Sequence, residues 1–338
     1  MMRRDVLIRS FACLLVAGLM AGCGSHAGRG ATAVSAARDG PLAKVPVRLE
    51  PGTYDGQPAF RVVTAHYLIE TTIQDEELAG SLGELMEGAL EQYRRLAPDV
   101  PPSAQPMLCH IFASRTQWAG YTKVNAGPDA EVYLQINRGG YTAGDRYVAY
   151  FIGDVGTWSV AAHEGWHQYV ARHFKRRPPP FLEEGLACMF EDVTWDEGLP
   201  RWNFASNGHR EGGLRKSLSQ GVFLPLEQLC TMHAGQVVNT SGARIEGFYS
   251  ESWAFARFLW DGEGGRYRPA LVRMLTDLAL GQLPPELAGR PDDVPWDPRA
   301  AKPLLEHYLG SSLGELDREF QVYAQRLADR SVPSSPEG

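Results

Sequence analysis

The 338-residue chain has no hydrophobic run long enough to cross a bilayer. Its longest apolar stretch, Phe11 to Gly22 (FACLLVAGLMAG), falls well short of the ~20 residues that a spanning helix needs. Cysteine is scarce. Five residues with no Cys-x-x-Cys pair leave neither a disulfide framework nor a cysteine-based zinc site. Basic charge is not in excess: 33 Lys and Arg face 40 Asp and Glu, a net of −7, with no stretch basic enough for a phosphate-binding footprint. The expectation is therefore no nucleic-acid partner. No internal repeat is visible. What is present is 44% hydrophobic and 22% charged, an ordinary globular balance that excludes disordered, collagen-like and multi-span membrane chains. The length suits one large domain or two small ones.

The N-terminus carries targeting features. Arg3, Arg4 and Arg9 precede the short apolar run, the pattern of a secretory signal over residues 1–22. The run ends in Leu19-Met20-Ala21-Gly22-Cys23, which resembles a bacterial lipobox, with Met20 where Leu is usual. That resemblance implies a lipid anchor at Cys23, a place in the bacterial cell envelope facing periplasm or exterior, and membrane association through the anchor alone. Residues 23–50, rich in Gly, Ala and Ser, suit a flexible tether. Beyond them Cys109, Cys188 and Cys230 allow at most one disulfide.

Residues 51–330 form the expected folded domain, with a strand-rich lobe over 58–154 and a helical lobe over 155–330. β-Branched and aromatic patterning predicts strands at 60–72, 107–114, 131–137 and 146–153, the last two around a Gly139-Gly140 turn. Leu78, Leu82, Leu85, Met86 and Leu90 share one helical stripe within 76–97. Helices are predicted over 155–174, stopped by Pro178-Pro179-Pro180, and over 181–193, 250–261, 269–280 and 313–328, with a polar connection near 196–216. Strands early and helices late give an α+β class.

The chemistry concentrates in His163-Glu164-Gly165-Trp166-His167. On a helix, residues four apart lie on one face, so both imidazoles can address a single ion, while Glu164 faces the same cleft and can take a proton from water there. Zn²⁺ is the expected cofactor. A third ligand is required. His173 has metzincin spacing, but Val170 stands where that pattern needs a glycine to leave the helix, and along a continuing helix His173 points elsewhere. Glu183 or Glu184, on the next helix in FLEEGLA, can complete a His₂Glu set. The Pro-rich reversal allows that helix to fold back, and Gly185 allows close approach. A carboxylate behind the histidines is expected too, with Glu191 and Asp192 as candidates.

HEGWH followed by Glu-Gly-Leu-Ala resembles the gluzincins. It is closer still to the peptidase MA-like domains of bacterial secreted proteins, in which HExxH is followed by P-x-(W/F)-L-x-E-G-L-A and then Y-(A/S)-x-S-W-A. The resemblance covers roughly residues 58–262. It implies a thermolysin-like zincin core and a zinc metallopeptidase acting on peptide or protein substrates. His163, His167 and Glu184 would be the ligands, Glu164 the general base, and Tyr249 in YSESWAFARFL an oxyanion donor. The other reading of Tyr249 is a core aromatic beside Trp253, Phe255 and Phe258. The GxMEN element of aminopeptidases is missing, which leaves an endopeptidase as the expected type. RYVAYFIG (146–153) holds the corresponding place and suits pairing with an extended peptide. The rival expectation is a peptidase-like binding module without turnover.

Overall fold

The structure, a computed structural model, describes residues 44–237, 240–287 and 297–330. The predicted signal segment 1–22, Cys23 and most of the tether lie outside the described residues.

A six-stranded mixed sheet runs in the order β1-β2-β3-β4-β6-β5. β1 (Arg48–Tyr54), β2 (Gln57–Val63) and β3 (Tyr67–Thr71) are antiparallel neighbours. β4 (Met107–Phe112) lies parallel to β3 and to β6 (Arg146–Tyr150), and β5 (Gly140–Ala143) closes the sheet antiparallel to β6. The helices are α1 (Glu76–Leu96), α2 (Arg115–Asn125), α3 (Ala130–Tyr133), α4 (Asp154–His173), α5 (Pro180–Met189) and α6 (Gly208–Ser219). They continue as α7 (Leu226–Leu229), α8 (Ala234–Val237), α9 (Gly242–Asp261), α10 (Arg268–Leu280), α11 (Ala301–Leu309) and α12 (Leu313–Arg330). A hairpin of β7 (Val193–Asp196) and β8 (Leu199–Trp202) interrupts the helical half.

The class is mixed α and β, with strands concentrated early and helices late. The two expected lobes share one continuous core that extends from Val62 on the sheet to Ala328 on α12. The reason lies in α4, where every residue from Val160 to Val170 is buried. A helix buried all round lies at a centre rather than on a surface, and α4 packs on α1, α5, β5 and β6 together. On the other face of the sheet, Phe112, Trp118, Tyr121, Tyr133, Tyr141 and Tyr150 form a separate aromatic cluster.

Several sequence expectations change. The segment 60–72 is two strands, and β1 starts inside the stretch assigned to the tether. The strand expected at 131–137 is instead α3 and a turn. Val132, Leu134 and Ile136 alternate as in a strand, but Tyr133 and Ile136, three apart, are the buried pair. The turn expected at Gly139-Gly140 falls at Gly144, where φ is +62°. Gly140 is inside β5, where a Cβ would meet Ala149 Cβ at 2.7 Å and Val148 O at 2.8 Å. RYVAYFIG is not at the rim: β6 has β4 on one side and β5 on the other, so both its edges are already paired. The connection near 196–216 holds β8 and much of α6, while α2 and α11 had no counterpart in the sequence reading.

Candidate metal centre

Two helices separated by a short Pro-rich reversal build the centre. α4 ends at His173, where the Phe174 N–H caps Val170 O. α5 opens with Pro180 in its first turn, a position that needs no amide donor. α5 then lies against α9 so closely that a Cβ on Gly185 would come within 2.1 Å of Ser252 O. Only glycine fits, and its absence of side chain brings α9 and Tyr249 to the centre.

Three atoms converge. His163 Nε2 and His167 Nε2 are 3.3 Å apart; Glu184 Oε2 is 3.3 Å from the second and 3.4 Å from the first. Ligands at ~2.0–2.1 Å from a tetrahedral zinc stand ~3.3–3.4 Å from one another, so the triangle has the dimensions such an ion demands. The far nitrogens fix the tautomers. His163 Nδ1 lies 2.9 Å from Glu191 Oε1, and His167 Nδ1 lies 2.7 Å from Glu183 Oε1. A carboxylate only accepts, so each Nδ1 carries a hydrogen, and in the neutral imidazole each Nε2 turns a lone pair inward. Lone pairs of two nitrogens and one oxygen then face a common point, which only a cation or a proton relieves.

Each carboxylate behind a histidine is held by an arginine. Arg210, 1% exposed, donates from Nε to Glu191 Oε2 at 2.8 Å and from Nη2 to Oε1 at 2.5 Å. Asn207 Nδ2 adds a bond to Glu191 Oε2 at 2.9 Å. Arg177 donates from Nε to Glu183 Oε2 at 3.0 Å and from Nη2 to Oε1. Counted by formal charge, Glu164, Glu183, Glu184 and Glu191 outnumber the two arginines by two, the charge that a divalent cation supplies.

The electrostatics agree. Burial pushes the Glu184 carboxyl up, but the two imidazoles overcome it and hold it down at about 2. Burial pushes His167 down, yet Glu184 ahead and Glu183 behind lift it to about 9. An imidazole that seeks a proton this strongly sits in the negative potential that attracts a metal ion. Glu191 and Glu183 are held below the usual carboxylate range against their burial, mainly by Arg210 and Arg177.

A second grouping, His163, Cys188 and Glu191, also has its donor atoms close together. Arg210 already covers both Glu191 oxygens, and burial lifts the Cys188 thiol to about 12, so the ligand-forming thiolate is disfavoured. That grouping supports His163 from behind and does not form a rival site.

The predicted residues fall as follows. His163, His167 and Glu184 converge, Glu164 follows His163 on α4 with its carboxylate at Thr142, and Tyr249 lies on α9; their exposures are 1, 2, 4, 1 and 1%. The Tyr249 ring is 6.5 Å from that of His163, with the Arg210 guanidinium carbon 5.2 Å from its centroid. Of the candidate supporting acids, Glu191 backs His163, whereas Asp192 accepts from Ser206. Glu183 backs His167. His173 turns to Tyr169 O at 3.0 Å, away from the centre. Cys109, Cys188 and Cys230 are buried free thiols. Sequence reasoning missed Thr142, Arg177, Asn207 and Arg210. The bases in KRRPPPFLEE stand directly before the acid pair and were a usable signal for Arg177; nothing marked the others. No protein-family model matches this chain, and no curated protein or solved structure matches it.

Proposed function

We propose that this chain is a zinc-dependent metallopeptidase of the gluzincin type, with a thermolysin-like core and peptide-bond hydrolysis as its reaction. The convergence of His163 Nε2, His167 Nε2 and Glu184 Oε2 at 3.3–3.4 Å carries the reading, and the two surplus negative charges around them support it. Zinc held there would lower the pKa of water and polarise the scissile carbonyl. Glu164 takes the proton from the attacking water and passes it to the leaving amine. Tyr249 donates its hydroxyl to the carbonyl oxygen as negative charge grows on it. Glu183 and Glu191 keep both imidazoles in the ligating tautomer. In the proposed setting the protein is anchored in the bacterial envelope through lipidated Cys23 and acts on peptides or proteins. Among the described residues no helix is long and apolar enough to cross a membrane.

One observation favours a second reading, a metal-holding module without turnover: the five central residues are almost wholly buried. Metal analysis and a peptide-library cleavage profile on wild type and Glu164→Gln separate the two. The hydrolase reading expects about one zinc per chain in both proteins and cleavage by wild type alone, with at least a hundredfold loss in the variant. Zinc in both with no cleavage by wild type establishes the second reading.

A further inference from the structure

The last strand of the sheet is fastened to the general base of the proposed reaction. β5 alternates its side chains, sending Tyr141 to one face and Thr142 to the other. Tyr141 is fixed: its ring stacks on Tyr133 at 3.9 Å, and its hydroxyl donates to Thr122 Oγ1 at 3.2 Å. Gly140, with no room for a Cβ, seats the strand tightly on β6. The opposite face then delivers Thr142, 2% exposed, to α4. Its Oγ1 lies 2.9 Å from Glu164 Oε2 and 3.0 Å from the backbone oxygen of the same glutamate.

That arrangement is chemically pointed. A carboxylate oxygen and a carbonyl oxygen of one residue, both acceptors, are held around one hydroxyl in a buried place. With no donor between them they repel, and the side chain rotates away to reduce the repulsion. One turn further along α4, Gln168 Nε2 donates to Leu108 O and Asp145 O, each at 2.8 Å, so the helix itself is already tied to the sheet. Holding the helix therefore does not need Thr142. What the hydroxyl adds is a fixed position for the Glu164 carboxylate.

We propose that Thr142 is a positioning residue that holds Glu164 in its working rotamer from the end of the sheet. This rests on the reading of Glu164 as general base. A base displaced by an ångström loses much of its advantage, because proton transfer requires hydrogen-bond contact with the water. Thr142→Val keeps the shape and removes the hydroxyl; Thr142→Ser keeps the hydroxyl.

The test uses the full zinc-loaded chain and the peptide that wild type cleaves best. The expected result is a kcat at least tenfold lower in Thr142→Val, with KM within about twofold and zinc content unchanged, and recovery to within about threefold of wild type in Thr142→Ser. In the metal-free protein, Thr142→Val and Glu164→Gln should also give a combined shift in thermal midpoint smaller than the sum of the single shifts. A Val variant with wild-type kcat, or one whose loss follows lost zinc, overturns the assignment while leaving the hydrolase reading intact. Additive midpoint shifts overturn it too. Wild type without turnover on any peptide overturns the hydrolase reading and this role with it.

Discussion

Among single residues, the partners behind the proposed ligands set the affinity expected of the centre for zinc. Arg210 is 1% exposed, so water has little room to take over its contribution at Glu191. Arg177 is 38% exposed at its side chain, and solvent can replace part of its contribution at Glu183. Arg210→Met should therefore weaken zinc binding about 10–100-fold in a chelator competition, and Arg177→Met by clearly less. Equal losses would show that burial does not set the ranking. The motif residues were legible from local pattern: helical spacing puts His163 and His167 on one face, while the acid pair at 183–184 follows from the Pro-rich reversal that returns the next helix, and the choice of Glu184 from the resemblance to the gluzincins. Glu191 was narrowed to two candidates and no further, because it sits just past the Phe190 C-cap, where helical spacing no longer applies. Arg210 and Thr142 come from chain segments that meet the centre only through the tertiary fold, and no local pattern announces such a meeting.

At the level of elements, the crossing of α5 and α9 is the critical joint. Gly185→Ala drives a methyl into Ser252 O at 2.1 Å, backbone against side chain, so one helix must shift. The expected cost is about 2–4 kcal/mol in denaturant unfolding, with weakened zinc binding, since a shift of α5 carries Glu184 away from His163 and His167. Gly212→Ala on α6 meets nothing within 4 Å and should be neutral or stabilise by up to about 1 kcal/mol. A stable Gly185→Ala protein that keeps its metal would place the joint elsewhere. The helices of the centre were legible since α4 and α5 are bounded by glycine and proline signals that act locally. Elements outside the centre were read less well. The alternation of Val132, Leu134 and Ile136 imitates a strand, and only the aromatic cluster beneath decides that Tyr133 and Ile136 turn inward together. The start of α9 at Gly242 also moves Tyr249 from a helix start to a helix interior.

For the molecule as a whole, the continuous core makes stability a shared property, and one buried acid links it to pH. Glu251 on α9 is 1% exposed and accepts from Ser217 Oγ and from Leu224 N at 2.9 Å. Burial outweighs these bonds and raises its carboxyl from 4.5 to about 7. The folded chain thus holds a proton there that the unfolded chain gives up near its ordinary value. Stability from this group is complete below about 4.5, declines as pH rises, and is lost above about 7. Glu251→Gln removes the dependence. Its thermal midpoint relative to wild type should improve between pH 5 and pH 8 by the equivalent of on the order of 2 kcal/mol. A midpoint difference that stays constant with pH would assign the carboxyl an ordinary titration. The division into two lobes was only half legible, because composition separates strands from helices but cannot say that α4 belongs to both.

The short reversal between α4 and α5 has one more consequence. His163, His167 and Glu184 lie within 22 consecutive residues, so a denatured chain keeps all three donors tethered within one loop, and gathering them around an ion costs less closure entropy than ligands scattered along the chain would. If the proposed zinc is bound, denatured protein then competes with native protein for it. Saturating metal raises the melting temperature by less than the native affinity alone would give, since the gain is set by the difference between the two affinities.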